Sequence, residues 1–239
     1  MKIVAIIPAK GNSQRVSDKN IKNFNGKPLI AWAILNAKKS RLDRVIVSTD
    51  SPEIAKIAKK YGAEVPFLRP KDLATPTIGI EPTLKHAYEW LLQNEGYKAD
   101  GLALLMATNP LRQSFHINEA IKIFADKKAD SVVAVNETPA NHTPYWTLVQ
   151  TGNKVSLFGG EDLKNILTRR QDFPKKCYAR NDLLYILKPK NLYEEKTNLY
   201  GKKVEMYITS TIYEADINTP EEWLQTEIKF KYQQKSPGK

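Results

Sequence analysis

The sequence is poor in cysteine and in long hydrophobic runs, and both absences limit what the protein can be. Its 239 residues include one cysteine, Cys177, which excludes an intrachain disulfide and is typical of a reducing compartment. No apolar run approaches the roughly 20 residues of a membrane-spanning helix. The apolar core of the opening stretch MKIVAIIPA is shorter than is usual in a secretory signal, and charged loop residues follow it at once. We therefore expect a cytoplasmic protein without a membrane partner.

Two common nucleotide-binding motifs are also missing. The chain has neither the G-x-x-x-x-G-K-[ST] of a P-loop nor the G-x-G-x-x-G of a dinucleotide-binding fold. Its 37 Lys and Arg outweigh 26 Asp and Glu, a net charge of +11. This excess fits nucleic acid, an acidic membrane or a small, highly anionic substrate. The most concentrated basic run closes the sequence, and residues 231–239 are predicted to be a flexible tail.

Strand and helix patterns alternate along much of the chain. Strands are predicted at 3–9, 44–50, 101–107, 131–136, 182–189 and 203–209. Helices are predicted at 28–40, 51–64, 81–96, 117–129 and 219–230. Fully apolar strands alternating with helices are typical of an α/β fold, with a mostly parallel sheet covered by helices on both faces. We expect one domain, 1–239, with a small β excursion at about 138–180 that suits a dimer interface.

A basic, polar loop follows the first predicted strand, in the stretch IPAKGNSQRVSDKN (7–20). Ligands of parallel sheets bind at the carboxyl ends of strands, where such loops gather. Backbone N–H groups and the side chains of Lys10, Arg15 and Lys19 can surround a polyphosphate. Taken alone, this loop fits a phosphate site and a solvated surface turn equally well.

Several motifs in a fixed order extend the pattern over about residues 2–225. They are IPAKGNSQRVSDKNIKNFNGKPLIAW, DRVIVSTDSPEIAKIAKKYGAEV, FLRPKDLA, LLMATNPLR, RRQDFPKKCYARNDLLYIL and EADINTPEEW. Together they resemble the acylneuraminate cytidylyltransferase (CMP-sialic acid synthetase) family. The resemblance implies a nucleotidyltransferase-like variant of the Rossmann fold, a homodimer and Mg²⁺ as cofactor. It also implies transfer of CMP from CTP to the anomeric hydroxyl of a sialic-acid-like 2-keto sugar acid, with release of pyrophosphate.

The resemblance also assigns roles to individual residues. The CTP-binding residues would be Lys10, Gly11, Asn12, Ser13, Arg15, Lys19, Asn20, Arg69 and Thr108. The sugar-binding residues would be Asn109, Arg112, His142, Arg169, Arg170, Gln171 and Asn181. Lys19 and Asp216 would be catalytic, and Asp216 with Asn218 would hold Mg²⁺. With CTP and a sugar acid as partners, no nucleic acid is expected.

Structural roles remain open for some of these residues. Asn109 equally fits a helix-entry turn, and 169–171 a solvated charge cluster. His142 fits either the sugar pocket or a dimer interface. The excursion at 138–180 could likewise form part of the sugar pocket or of a dimer interface. Asp50, at the end of the second predicted strand, is an additional site candidate.

Three departures from the family pattern affect the expected function. Lys10 replaces an Arg, which keeps the charge but loses the bidentate fork. Met106 replaces a Gln that normally contacts a ligand. Asn218 replaces the second aspartate of an Asp-Ile-Asp metal motif, and Mg²⁺ prefers anionic oxygen ligands. The alternatives are therefore an octulosonate or other sugar nucleotidyltransferase of the same fold, and a non-catalytic nucleotide- or sugar-binding relative.

Overall fold

The computed structural model describes residues 1–11, 16–75 and 77–235. Its strands are β1 (Ile3–Pro8), β2 (Asn23–Phe24), β3 (Lys27–Pro28), β4 (Arg44–Ser48), β5 (Gly101–Leu104), β6 (Ser131–Glu137), β7 (Leu148–Thr151), β8 (Lys154–Leu157), β9 (Tyr178–Leu187) and β10 (Val204–Ile208). Its α-helices are α1 (Leu29–Lys38), α2 (Pro52–Lys60), α3 (Ile80–Glu95), α4 (Ser114–Asp126) and α5 (Pro220–Lys235). Short 3-10 turns lie at Lys71–Ala74, Ala140–His142, Leu163–Asn165, Arg170–Asp172, Pro189–Tyr193 and Thr211–Tyr213.

The main sheet has six strands in the order β10-β6-β9-β5-β1-β4. β9 is antiparallel to both of its neighbours, and the other strands of this sheet run parallel to one another. β2 pairs with β3, and β7 with β8, in two small antiparallel sheets. The predicted mostly parallel sheet is confirmed, and the antiparallel β9 is a feature that the apolar pattern did not predict.

Helices cover both faces of the sheet because the apolar strands present side chains to both sides. In β1, Ala5 and Ile7 pack in the layer that contains α1, α2 and α4. Val4 and Ile6 point the other way and pack with residues of α3. Each fully buried aliphatic side chain contributes roughly 1.5–3 kcal/mol, so a continuous apolar run suits this central position. The predicted α/β architecture is confirmed.

The direction of β9 determines which residues meet at the carboxyl edge of the sheet. The loops that follow β1, β4 and β5 leave the sheet at this edge because these strands are parallel. β9 runs the other way, so its first residues, from Tyr178, lie at the same edge. Its pairing with β6 is irregular, since Tyr185 lies opposite Val133 whereas Arg180 lies opposite Val135. The extra residues of β9 form a bulge beside the loop ends.

Capping residues fix the starts of two helices, as their sequence pattern predicts. Ser51 Oγ accepts a hydrogen bond from Ile54 N at 3.3 Å, and Pro52 occupies the first turn of α2. Before α5, Thr219 Oγ1 accepts from Glu222 N at 3.2 Å, while the Glu222 carboxylate accepts from Thr219 N at 2.9 Å. This reciprocal cap fixes the chain just before α5.

α5 continues beyond its predicted end, to Lys235. Residues 231–235, predicted to belong to a flexible tail, are therefore helical, and the rest of the predicted tail lies outside the described residues. Phe230 supplies the physical reason, because its buried ring packs edge-on against Phe24 and Trp32. The packing of Phe230 thus holds the basic, polar end of α5 against the rest of the protein.

The segment 138–180 contains the predicted small β element as the hairpin β7–β8. A small cluster supports it, in which Trp146 packs edge-on against Phe173 and donates from Nε1 to Leu167 O at 2.5 Å. Phe158, just after the hairpin, is 63% exposed. A role of this segment in dimerisation stays a prediction.

Candidate active site

A cleft of about 510 Å³ opens at the carboxyl edge of the sheet. It lies where β1 and β5 end, next to the segment that precedes α5. Many of the predicted site residues line it together: Lys10, Lys19, Asn20, Arg69, Thr108, Asp216 and Asn218. Residues distant in sequence thus form one polar site with cationic and acidic groups facing the same space.

The loop after β1 forms one wall of the cleft. Asn20 is buried, and its Nδ2 donates to Lys10 O at 3.0 Å, which ties the two ends of the loop together. Gly11 N donates to Asp50 Oδ1 at 2.9 Å. A Cβ on Gly11 would lie 3.0 Å from the Ser51 Cβ, so glycine permits this close approach. The predicted CTP-binding residues Asn12, Ser13 and Arg15 lie outside the described residues.

Arg69 is the buried cation of the site, with 6% of its surface exposed. Its Nη1 donates to Thr83 Oγ1 at 3.3 Å, and its Nη2 lies 3.7 Å from Asp50 Oδ1. Burial lowers the pKa of Arg69, and the charge of Asp50 opposes this shift. Nε and Nη2 make no hydrogen bond within the described part of the chain. A buried cation with unused donors beside a cleft is suited to an anionic or carbonyl ligand.

Lys19 links the basic loop to the predicted metal motif. Its Nζ donates to Ile217 O at 2.6 Å and to Asn218 Oδ1 at 3.1 Å. Asn218 Nδ2 in turn donates to Asp216 Oδ2 at 2.5 Å. The reciprocal cap of α5 reaches this chain of contacts, because Glu222 Oε2 also accepts from Asn218 N at 2.6 Å. A cation, an amide and a carboxylate are therefore held in sequence across the cleft.

Asp182 is a site residue that the sequence reasoning missed. It lies in the bulge of β9 and lines the cleft together with Asp216. Burial, and then the charge of Asp216, raise the pKa of Asp182. The available signal lay in the stretch RRQDFPKKCYARNDLLYIL, which resembles a family segment with Asn-Gly-x-Ile-Tyr: after Asn181 this chain has Asp in place of that Gly.

Three predicted sugar-binding residues hold the backbone around the cleft. Arg112 has no exposed surface and donates to the carbonyls of Leu183 and of Met106, the latter at 2.7 Å. Burial lowers the pKa of Arg112 to about 9. Arg112 is thus enclosed in this structure and holds the backbone of the bulge, and its sugar-binding role stays a prediction.

Asn109 and Asn181 are likewise engaged with neighbouring residues. Asn109 is fully buried, its Oδ1 accepts from Leu111 N at 3.1 Å, and its Nδ2 donates to Tyr213 O at 3.1 Å. This is the helix-entry turn that the sequence left open. Asn181 Nδ2 donates to Asn136 Oδ1 at 2.6 Å, although Asn181 also lines a second cleft.

The remaining predicted sugar residues lie in the segment 138–180, and none of them lines the 510 Å³ cleft of the described chain. They are His142, Arg169, Arg170 and Gln171. All four are exposed, and Arg169 pairs with Asp172 at 2.8 Å. Within one chain, these side chains are exposed to solvent.

The residues present fit a divalent cation better through a carboxylate pair than through a larger cluster. Among the described residues, no group of three or more His, Cys, Asp and Glu side chains is arranged to hold a metal. Asp182 and Asp216 offer hard anionic oxygens, and Mg²⁺ is often bound by one or two carboxylates together with substrate phosphates.

In the same described part of the chain, none of the helices combines the length and the apolar character needed to cross a membrane.

The fold and the site together define a nucleotidyltransferase-type α/β protein. The family model described as "Cytidylyltransferase" matches residues 4–235, and the chain belongs to this family. The fold resembles the solved structure of CMP:2-keto-3-deoxy-manno-octonic acid synthetase complexed with CTP. That comparison gives a TM-score of 0.69 at 14% identity, covering 98% of this chain and 100% of the other. The family and fold predicted from the sequence are confirmed.

Two relatives of similar length carry names of sugar-acid enzymes, and a third is named for flagellin modification. CMP-N,N'-diacetyllegionaminic acid synthase of Legionella pneumophila is 33% identical over 95% of both chains. Pseudaminic acid cytidylyltransferase of Campylobacter jejuni is 35% identical over 73% of this chain and 74% of its own. Post-translational flagellin modification protein B of Campylobacter coli is 37% identical over 90% of this chain and 89% of its own.

Proposed function

We propose that this protein transfers CMP from CTP to the anomeric hydroxyl of a sialic-acid-like 2-keto sugar acid and releases pyrophosphate. The observation that carries the proposal is the cleft that Lys10, Lys19, Arg69 and Asp216 line together. The cations suit a triphosphate, and the carboxylate suits the metal that accompanies it. The nine-carbon acids named for the relatives favour this substrate class over octulosonate.

Lys10, Lys19 and Arg69 would act by electrostatic stabilisation. Attack of the sugar hydroxyl on the α-phosphorus transfers negative charge to the departing pyrophosphate, so fixed cations there lower the barrier. Lys19 is well suited because its contacts with Ile217 O and Asn218 hold Nζ in place before the reaction. No covalent enzyme intermediate is needed, since the nucleophile belongs to the sugar.

Mg²⁺ is the proposed cofactor. Asp216 would be one of its ligands whether the second ligand is Asn218 or Asp182. When bound, the ion neutralises phosphate charge and helps to align the α-phosphate. Asp216 is held for this role by its hydrogen bond from Asn218 Nδ2. The reciprocal cap between Thr219 and Glu222 keeps the segment rigid.

A cytoplasmic homodimer is the proposed form of the enzyme. β10 is an edge strand, and its alternate side chains Val204, Met206 and Ile208 are all at least 44% exposed. An apolar edge of this kind suits an interface with a second copy. In such a dimer, segment 138–180 would bring His142 and 169–171 to the partner's cleft, which would reconcile their exposure with the predicted sugar role.

The proposed reaction is tested by measuring pyrophosphate release from CTP, Mg²⁺ and a panel of sugar acids that includes legionaminic, pseudaminic, N-acylneuraminic and octulosonic acids. We expect release with a nine-carbon acid, and its loss in Asp216→Ala. Release with octulosonate alone would correct the substrate class. Tight CTP binding without turnover across the panel would favour the non-catalytic alternative, and absence of CTP binding would contradict the proposal altogether.

A further inference from the structure

The bulge in β9 brings a second carboxylate to the cleft. Asp182 lies between Arg180 and Tyr185, where β9 has more residues than the stretch of β6 opposite. Bulges often redirect a side chain beside a functional site. Asp182 and Asp216 line both the 510 Å³ cleft and an adjoining cleft of about 580 Å³. Two carboxylates that lie together repel each other unless a cation or a shared proton lies between them.

A second, independent observation points to a ligand in the same place. Thr108 also lines the 510 Å³ cleft, and it is only 8% exposed. Its Oγ1 is buried and has no hydrogen-bond partner among the described residues. An unpartnered buried hydroxyl is destabilising by about 1–3 kcal/mol, so its position in the cleft that Asp182 and Asp216 also line indicates that a ligand completes its contacts.

The amide of Asn218 is arranged differently from a metal ligand. Its Oδ1 accepts from Lys19 Nζ at 3.1 Å, and its Nδ2 donates to Asp216 Oδ2 at 2.5 Å. The oxygen that could bind a cation is therefore turned toward Lys19, while the amide hydrogens face the carboxylate. In this arrangement Asn218 positions both neighbours and presents no oxygen to the ion.

We propose that Asp182 and Asp216 together hold the divalent cation, with Asp182 supplying the carboxylate that Asn218 lacks. Thr108 Oγ1 lines the same space and would contact the ion or its water. Lys19 and Asn218 then belong to the wall that orients Asp216. The inference deepens the proposed function, on which the identity of the nucleotide rests, but cation binding is measurable without any reaction.

The test is titration of the full-length protein with Mn²⁺ alone, with free Mn²⁺ followed by electron paramagnetic resonance. Asp182→Asn should weaken Mn²⁺ binding by at least about tenfold, since even supporting residues of metal sites typically alter affinity 10–100-fold. Asp126→Asn is the matched control, because it removes the same charge from the exposed end of α4, which leads into β6 at the opposite edge of the sheet. It should leave the affinity unchanged.

A rescue variant separates the carboxylate from the fold. Adding Asn218→Asp to Asp182→Asn restores a second carboxylate beside Asp216, and we expect most of the Mn²⁺ affinity to return. Near-ultraviolet circular dichroism of each variant checks that the fold is intact. Unchanged binding in Asp182→Asn, equal loss in Asp126→Asn, or failure of the rescue in a folded protein would each overturn the inference.

Pyrophosphate release measured in parallel distinguishes the two proposals. Mn²⁺ binding that depends on Asp182 in a protein that transfers no CMP would support the cation site and contradict the proposed function. Turnover whose Mg²⁺ requirement is the same in wild type and Asp182→Asn would support the proposed function and overturn the cation site.

Discussion

Replacing Arg69 by methionine should separate ligand binding from stability. The guanidinium is 6% exposed, and its Nε and Nη2 have no hydrogen-bond partner among the described residues. Each unsatisfied buried donor is destabilising by about 1–3 kcal/mol, which offsets the attraction to Asp50 across 3.7 Å. Methionine fills a similar volume without buried charge. We therefore expect the ligand-free protein to keep its melting temperature or to gain a few degrees.

CTP binding should respond in the opposite way. A hydrogen bond from a charged group contributes about 1.5–3 kcal/mol, which corresponds to a loss of roughly ten- to hundredfold in affinity if Arg69→Met removes one such bond. Isothermal titration with CTP and Mg²⁺ in the absence of sugar measures this loss directly. Thermal unfolding with and without CTP should show a smaller ligand-induced rise for the variant.

Arg44→Met is the matched control for this experiment. Arg44 is an arginine of the opposite edge of the sheet, at the start of β4, and it pairs with Glu64 and Glu95. The hydrogen bonds that Arg44 donates to these carboxylates raise the pKa of Arg44, so its loss should lower stability and leave CTP affinity unchanged. A large fall in the ligand-free melting temperature of Arg69→Met, with CTP affinity intact, would refute the assignment of Arg69 to the nucleotide.

Three further predictions concern Lys19, His116 and Phe230. Lys19→Met should lower kcat/KM for CTP by roughly 100-fold or more, because it removes a cation from the cleft, and pyrophosphate release measures it. Burial lowers the pKa of His116 from 6.5 to about 3, so the unfolded chain takes up a proton first as pH falls below 6.5. Wild type should therefore lose about 2 kcal/mol more than His116→Gln between pH 7.5 and 5 in urea unfolding. Phe230→Ala should lower the free energy of unfolding by about 3–5 kcal/mol, because it opens the aromatic cluster under α5.

Each of these predictions has a control or an outcome that would contradict it. Lys38→Met, at the end of α1, should leave kcat/KM unchanged, and an equal loss would indicate a general charge effect. An equal response of wild type and His116→Gln to this change of pH would contradict the burial argument. Ile228→Ala, at a position 61% exposed, should destabilise little, and a cost equal to that of Phe230→Ala would show that α5 is not anchored by its aromatic face.

Local sequence signals predicted much of the fold because they reflect nearby interactions. Ser51 with Pro52 marks the start of α2, and Thr219 with Glu222 marks the start of α5, since a cap depends on residues three apart. The apolar run of β1 was equally informative, because a strand buried on both faces needs no polar side chain. The direction of β9 was not predictable in this way, because its pairing with β5 and β6 depends on residues far away in the sequence.

The candidate site was predictable where residue type and position both decide the role. Lys19 lies in the loop after β1, and Asp216 lies in the segment before α5. Both segments are at the carboxyl edge of the sheet, so the two residues line one cleft. The support that Arg112 gives to the backbone was not predictable, because the same side chain can bind a ligand or hold a backbone, and only burial distinguishes the two. Asp182 was missed for the converse reason, since a bulge specified by tertiary pairing carries it into the cleft.

The two departures at Asp182 and Asn218 have a common physical interpretation. A metal motif that exchanges one aspartate for asparagine loses a negative charge, which weakens its hold on a divalent cation. An aspartate on the facing bulge returns that charge to the same cleft from another element. The amide of Asn218 can then contact both Lys19 and Asp216. A carboxylate at this position could accept from Lys19, but it has no N–H to donate to Asp216. On this reasoning, the single change Asn218→Asp would place three carboxylates around one ion and tighten Mn²⁺ binding, while it would weaken the positioning of Asp216 and lower turnover.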